Sequence, residues 1–356
     1  MKLINQRVSN IRRFLKEENL EAVLITKPEN IYYLSYFSGS SACLLITDQF
    51  SFLFTDFRYL EQASTQSPLF KVKKSENGLI DAVSNEIIRL KHIKTVGFEA
   101  RHLTYAQYKK IEGKLKQHNI ILKPLEEPVE TLRLKKDQAE IRNISYAAEI
   151  GLLALEDCKP LIKPGITEKA LATELEHSLK KRGADKSAFD IIVASGKRSA
   201  LPHGVATDKK IEDGDLVVID WGCQVNGYHS DCTRTFFVGK GIDKKWYEIY
   251  EIVETAQQRA ISAVFPGKKI IEVDNKARNY IKDKGYGAYF GHGLGHGVGL
   301  EVHEAPTISP KGKGVLEAGM VITIEPGIYL PGEGGVRLEE LVLVTEKGPK
   351  ILTSLS

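Results

Sequence analysis

LVVIDWGCQVNGYHSDCTRTFFV, residues 216–238, decides how the rest of the chain is read. Asn226-Gly227 at its centre is the strongest short signal for a two-residue hairpin loop, because the favoured turn needs positive φ at both positions. With those two residues as the loop, position 222 faces 231 and position 220 faces 233. Asp220 and Asp231 then lie diagonally opposed on one face of the hairpin, within reach of a shared ion. Two acids among Val, Ile and Phe are costly to bury unless something positive sits between them.

Similar acids recur downstream. VITIEPGIYL (321–330) puts Glu325 at the end of an apolar strand, and VRLEELVLV (336–344) puts Glu339 inside another. Before them comes GHGLGHGVGLEVHE (291–304), with three histidines, His292, His296 and His303, and five glycines. Each glycine costs about 1 kcal/mol against alanine in a helix, and glycine lets backbone pass close to a ligand, so this segment reads as a site wall. A lone acid at a strand end is usually solvated, and a lone histidine is usually just hydrogen-bonded. Four acids in β runs and three histidines in one Gly-rich segment are better explained together. Four carboxylates with one histidine make a hard, oxygen-rich site with room for two divalent ions.

The C-terminal part also repeats itself. A helix through Ile141, Ile144, Ala148 and Leu152 is expected to end near Pro164-Gly165, and one through Leu171, Leu175 and Leu179 at Gly183. Later, a helix through Trp246, Ile249, Val253 and Ala260 is expected to end at Pro266-Gly267, and the next at Gly285, both landmarks offset by 102 residues. Continuing, Asp220 meets Glu325 at 105, Asp231 meets Glu339 at 108, and His203 meets His303 at 100. A near-constant offset over five landmarks implies two αβ halves closing on one central site.

Upstream, Ile4, Val8, Ile11 and Leu15 recur at helical spacing, and EAVLIT, SACLLIT and FSFLFTD read as strands with a hairpin turn at 47–49. Helical stretches at 78–92 and 104–117 alternate with TVGFE and IILKP, which suggests an α/β layer of about 125 residues. Pro124 and Pro128 interrupt the pattern and RLKKDQAE opens a new amphipathic helix. The boundary is therefore placed near 125–134, giving domains 1–128 and 129–356.

Bulk properties exclude several classes. The 356 residues exceed one ordinary domain. A composition of 42% apolar and 27% charged residues is that of a soluble globular protein. A net charge of +4, with basic residues scattered among acids, argues against nucleic acid. No apolar run approaches the ~18 residues of a membrane span, and the N-terminus lacks the apolar core of a secretory signal. The four cysteines, Cys43, Cys158, Cys223 and Cys232, show no metal-type CxxC spacing. A reduced, cytoplasmic setting is the simplest expectation. Cys223 and Cys232 are expected to point away from the Asp231 face as small apolar filler.

IIVASGKRSALPHG (191–204), VVIDWG (217–222), GYHSDCTRTF (227–236), GHGLGHGVGLEVHE, ITIEPGIY (322–329) and GVRLEE (335–340) together resemble the pita-bread metallopeptidases. The branch is that of Xaa-Pro dipeptidase (prolidase) and Xaa-Pro aminopeptidase (aminopeptidase P). TDFRYLEQA (55–63) resembles part of the branch's smaller N-terminal domain. The resemblance implies a creatinase-like α/β N-terminal domain followed by an α+β pita-bread catalytic domain with an internal pseudo-two-fold repeat. It implies an exopeptidase that hydrolyses Xaa-Pro dipeptides by attack of a water or hydroxide held between two metal ions. Asp231 and Glu339 would bridge the ions, Asp220 would complete one, and His296 with Glu325 the other. Glu325 would shuttle a proton, and His303 would help stabilise the oxyanion. His203 would stand opposite His303 and handle the scissile amide. His292 would line the proline pocket, with Tyr329 beside it, and Arg337 would steady Glu339 or the substrate carboxylate. The ligand set favours manganese, with cobalt, iron or zinc as alternatives. Expected partners are short proline-containing peptides and a second copy of the chain, with no nucleic acid or membrane. An aminopeptidase acting on longer peptides, or a catalytically silent peptide-binding relative, are the alternatives.

Overall fold

The computed structural model describes residues 2–354. The chain forms two compact units, Met1–Arg133 and Leu134–Ser356.

The first unit is a six-stranded sheet carrying helices. In space its strands run Lys71–Lys74, Ser51–Thr55, Ala42–Thr47, Ala22–Ile25, Thr95–Glu99 and Ile121–Leu125. Thr47 and Phe50 close the first hairpin, where Thr47 N–H donates to the Phe50 carbonyl at 2.8 Å. The expected helices form as Lys2–Glu17, Leu79–Arg89 and Tyr105–Lys116. Thr104 and Gln107 cap the last one reciprocally, which satisfies two of its free amides. Leu24, Leu45, Phe52, Phe54, Ile87 and Val96 fill the core between sheet and helices. Several elements were not expected, among them the helix Leu60–Gln66. Pro28–Ser35 is a helix that uses Pro28 in its first turn, where the missing N–H costs nothing. Lys71–Lys74 is an edge strand, and its charges, which hide it from an apolar-alternation reading, guard an exposed edge against further pairing.

The second unit is built twice over. Its first half has helices Gln138–Cys158 and Glu168–Lys181 against a sheet ordered Cys232–Phe237, Leu216–Trp221, Ile192–Ser195. The second half has Lys244–Ile261 and Ile270–Asp283 against a sheet ordered Glu304–Ile308, Gly295–Gly297, Val321–Ile324, Glu340–Thr345, Gly348–Ile351. The 14-residue helices Glu168–Lys181 and Ile270–Asp283 keep the 102-residue offset at both ends. Gly183 and Gly285 follow them at φ 102° and 90°, the left-handed conformation that ends a helix at little cost only for glycine. The helix expected to run on toward Pro164 stops at Cys158. Pro160 lies in the short 3-10 turn beyond it, where an α-helix would need the N–H it lacks. The RLKKDQAE helix starts at Gln138, capped by Asp137, which accepts from the amides of Ala139 and Glu140.

Each half has its own core. Leu171, Leu175, Val217, Ile219 and Trp221 belong to one, and Val253, Val273, Ala277, Ile322 and Val342 to the other. Strand parity then decides where the acids go, since successive side chains point to opposite faces. Val217, Ile219 and Trp221 face their helices, so Asp220 faces the other way. Ile322 and Ile324 do the same in the second half, so Glu325 follows Thr323 onto the helix-free face. Cys223 and Cys232 lie in the first core, and burial pushes the Cys223 thiol up to about 11.

Two further expectations about elements are corrected. The helix expected to end at Pro266-Gly267 stops at Ile261. Glu339 is not inside a strand: it sits between Gly334–Arg337 and Glu340–Thr345. Its backbone is taken by the first half instead. Glu339 N–H donates to the Thr233 carbonyl at 3.1 Å, and its own carbonyl accepts from Arg234 Nη1 at 2.6 Å.

Candidate metal centre

The hairpin has the register read from its turn. Thr233 lies opposite Asp220, and Gln224 opposite His229. Asn226 and Gly227 have φ of 50° and 79°, the two left-handed residues that such a loop requires. Asp231 and Asp220 thus enter one cleft from the first half, and Glu325, Glu339 and His296 enter it from the second. Ligand atoms of Asp220, Asp231 and Glu339 all lie within 4.8 Å of one another, as do those of His296, Glu325 and Glu339. Asp231, His296 and His303 form a third such group. His296 Nε2 is 3.6 Å from Asp231 Oδ2 and 3.5 Å from Glu325 Oε1.

The electrostatics of the cluster call for cations. Burial, then the charge of Glu339, drives the Asp231 carboxyl well above the usual carboxylate range. Burial and the charge of Glu325 do the same to Glu339. Burial lifts Glu325 to about 8. Asp220 Oδ1 is buried without a hydrogen-bond partner among the described residues, which is the condition of an oxygen kept for an ion. Burial, then neighbouring His303, lowers His296 to about 4, so its imidazole is neutral. Its Nδ1 faces the Gly297 carbonyl at 3.1 Å. A proton there makes that contact a hydrogen bond and leaves the Nε2 lone pair turned to the acids, the usual state of a metal-binding histidine. The residues present fit divalent cations.

Around the cluster, hydrogen bonds run in one direction. Arg337 Nη1 donates to Tyr329 Oη at 3.0 Å. The hydroxyl proton is then free to go to His292 Nε2, also at 3.0 Å. His292 Nδ1 faces the Gly293 carbonyl at 2.7 Å and so holds the ring's own proton. Arg337 reaches the cluster from several sides. Its Nη2 donates to Asp220 Oδ2 at 2.7 Å and its Nη1 also reaches the Pro202 carbonyl, while it meets Glu339 only through Thr233. Nothing in the sequence singled out Thr233. The one available signal was its register position opposite Asp220.

The cleft has a volume of about 630 Å³, in the size range of small-ligand sites. The four acids and the imidazole of the cluster line it, together with His203, His292, His303, Tyr329 and Arg337. Every residue that the sequence singled out for the site is thus brought to one cleft. His203 and His303 are exposed in part to solvent, and partial burial, with the nearby charge of His203 adding to it, lowers His303 below the ordinary imidazole value. Phe189, Ile192, Val205 and Thr307 complete the wall. The pairing Ile192–Asp220 sets an apolar side chain directly beside an acid. These wall residues carry no signal in the sequence: Ile192 and Thr307 lie in ordinary strands, and Phe189 and Val205 in connecting segments.

An oxygen-rich cluster with one imidazole, drawn from two like halves, is the kind of centre a metallopeptidase uses. Residues 142–346 match the metallopeptidase family M24, and residues 7–135 match the creatinase/prolidase N-terminal domain. The chain belongs to metallopeptidase family M24. It is 44% identical to the Xaa-Pro dipeptidase of Pyrococcus furiosus, with 98% of each chain covered. Among solved structures it is similar to an Xaa-Pro dipeptidase from Bacillus anthracis, with TM-score 0.95, 41% identity, and 99% and 98% of the two chains covered. It is also similar to an X-Pro aminopeptidase from Thermotoga maritima, with TM-score 0.89, 39% identity and 98% of each chain covered. The fold is thus a creatinase-type N-terminal domain followed by a pita-bread domain with two like halves. Among the described residues, no helix is long and apolar enough to cross a membrane.

Proposed function

We propose that this chain is an Xaa-Pro dipeptidase, hydrolysing the bond between an N-terminal residue and a following proline with two divalent cations. The observation that carries the reading is the convergence of donors from both halves, with Glu339 common to two groups of ligand spacing. The full-length likeness to the Pyrococcus furiosus dipeptidase supports it. In this reading Asp220, Asp231, His296, Glu325 and Glu339 hold the cations. Manganese suits so many carboxylates, and cobalt, iron and zinc are the alternatives. When bound, the cations supply Lewis acidity, polarising the scissile carbonyl and making water acidic enough to attack near neutral pH.

The protein's own groups do the rest. Glu325 takes up and returns the proton at its carboxylate, which stands beside the cleft-facing Nε2 of His296. His303 and His203, exposed at the cleft mouth, donate to the oxygen and nitrogen of the bond being cut. His292, its ring fixed by Tyr329 and the Gly293 carbonyl, forms the wall for the proline ring. Arg337 keeps Tyr329 and Asp220 in place.

A proline substrate suits this design. The Xaa-Pro bond has no N–H and its φ is fixed near −65°, so a protease that adds its substrate as a β-strand loses a hydrogen bond there. A cleft recognising ends and rings by side chains does not need that bond. We further propose a cytoplasmic setting, in keeping with its four free cysteines, and a homodimer. The likeness to the Thermotoga maritima aminopeptidase favours a second reading, in which longer peptides are cut. Assaying Leu-Pro beside Leu-Pro-Yaa-Zaa with manganese added separates the two. Cleavage of the longer peptide alone reverses the assignment. Leu-Ala turned over as fast as Leu-Pro removes the proline preference.

A further inference from the structure

We infer that Thr233 is the positioning residue that sets the orientation of Glu339 and Arg337 together, and so sets the affinity of the centre for divalent cations. The inference rests on the reading of Glu339 as a shared ligand.

Thr233 is fully buried, on the cleft-facing side of strand Cys232–Phe237 and directly opposite Asp220. Its hydroxyl is 3.1 Å from Arg337 Nε and 2.8 Å from Glu339 Oε2. Arginine is a donor only, so Thr233 Oγ1 must accept from Nε, and its single proton is left for Glu339 Oε2. One hydroxyl therefore fixes two side chains from the other half of the domain. On Glu339 it occupies one lone pair of Oε2, leaving the second lone pair of that oxygen and both of Oε1 for cations. On Arg337 it fixes the plane of the guanidinium, whose remaining donors run to Asp220, Tyr329 and the Pro202 carbonyl. Glu339 and Arg337 are thus held directly through one oxygen, and Asp220 and Tyr329 through Arg337. Hydrogen-bond partners of metal ligands orient the donor atoms, and removing one typically costs 10- to 100-fold in metal affinity or activity.

Thr235, two residues along the same strand, supplies the control. It too is buried, and its hydroxyl bonds the backbone of the same arginine, accepting from Arg337 N–H at 3.2 Å and donating to its carbonyl at 2.8 Å. It ties the halves together without touching a ligand side chain.

The experiment measures binding of manganese alone to chelator-stripped protein by calorimetry, with urea unfolding of the metal-free protein alongside. T233V replaces the hydroxyl by a methyl group of similar size and is expected to bind manganese about 10- to 100-fold more weakly, with T233S within about threefold of the parent. T235V is expected to lower stability in urea while keeping manganese affinity. T233V binding manganese within about threefold of the parent, or T235V losing as much affinity as T233V, overturns the inference. If T233V does not accumulate as folded protein, T233A is judged by the same limits. E339A separates this inference from the reading beneath it. An E339A protein that binds manganese like the parent removes Glu339 as a ligand altogether. Loss of binding in E339A together with retention in T233V removes only the role of Thr233.

Discussion

Stripping the divalent cations should make the catalytic unit less stable as pH rises through neutrality. In the folded, metal-free chain Glu325 holds its proton up to about 8, against an ordinary value of 4.5, mainly through burial. Asp231 and Glu339 are shifted the same way. A folded group with a raised pKa binds a proton that the unfolded chain has released. Its stabilising contribution is therefore complete below 4.5 and is lost as pH climbs through 8. Histidines lowered mainly by burial, His229, His292, His296 and His303, oppose this at lower pH. His292 and His296 fall from 6.5 to about 4, so they raise stability between those values and have no further effect above 6.5. The window from 6.5 to 8 belongs to the carboxyls. Across it Glu325 alone accounts for about 2 kcal/mol, at about 1.4 kcal/mol per pH unit, and the two acids beside it add to the loss. Saturating manganese should abolish the slope, because cations then take the place of protons. The chain has two tryptophans, Trp221 and Trp246, and both lie in the catalytic unit. Their fluorescence during urea titration at pH 6.5, 7, 7.5 and 8 therefore follows that unit without interference from the other. A metal-free protein whose stability is flat or rising over this range would refute the electrostatic account of the cluster.

Three further outcomes can be checked. Asp231→Ala and Glu339→Ala should each abolish hydrolysis of Leu-Pro while circular dichroism stays native, and near-normal turnover in either removes it as a shared ligand. His303→Ala should lower kcat by about 10²–10³-fold, the usual cost of an oxyanion donor, with metal content by atomic absorption unchanged. Parallel loss of metal would instead make His303 a ligand, as its spacing with Asp231 and His296 permits. Glu168→Gln lies outside the cleft, where Glu168 is buried and accepts hydrogen bonds from Ser195, Arg198 and Thr207. It should cost about 1–3 kcal/mol in urea and leave kcat/KM for Leu-Pro unaltered.

Much of the second unit could be read in advance because its signals are local. A two-residue Asn-Gly loop fixes a register, and the register puts Asp220 and Asp231 on one face. The Gly183 and Gly285 landmarks recur because each half ends its second helix by the same left-handed glycine, whereas the first helices stop short of their Pro-Gly pairs, at Cys158 and Ile261. What stayed hidden depends on partners distant in sequence. Arg337 bonds Asp220 across 117 positions, and no spacing rule links the two. Glu339 read as a strand residue because apolar neighbours flank it, yet its amide and carbonyl are spent across the seam on residues Thr233 and Arg234. In the first unit the edge strand KVKK was missed for a simpler reason. Its lysines serve solubility at an open edge, and that purpose erases the alternation by which strands are recognised.

Each half of the second unit has a core of its own, with Leu216 of the first half packed into that of the second, but neither owns a whole set of donors: the first brings Asp220 and Asp231, the second His296, Glu325 and Glu339. Neither half is therefore a centre by itself. Affinity for cations arises only when the two dock, so a slight parting along their junction disarms the enzyme while leaving every ligand and both cores intact.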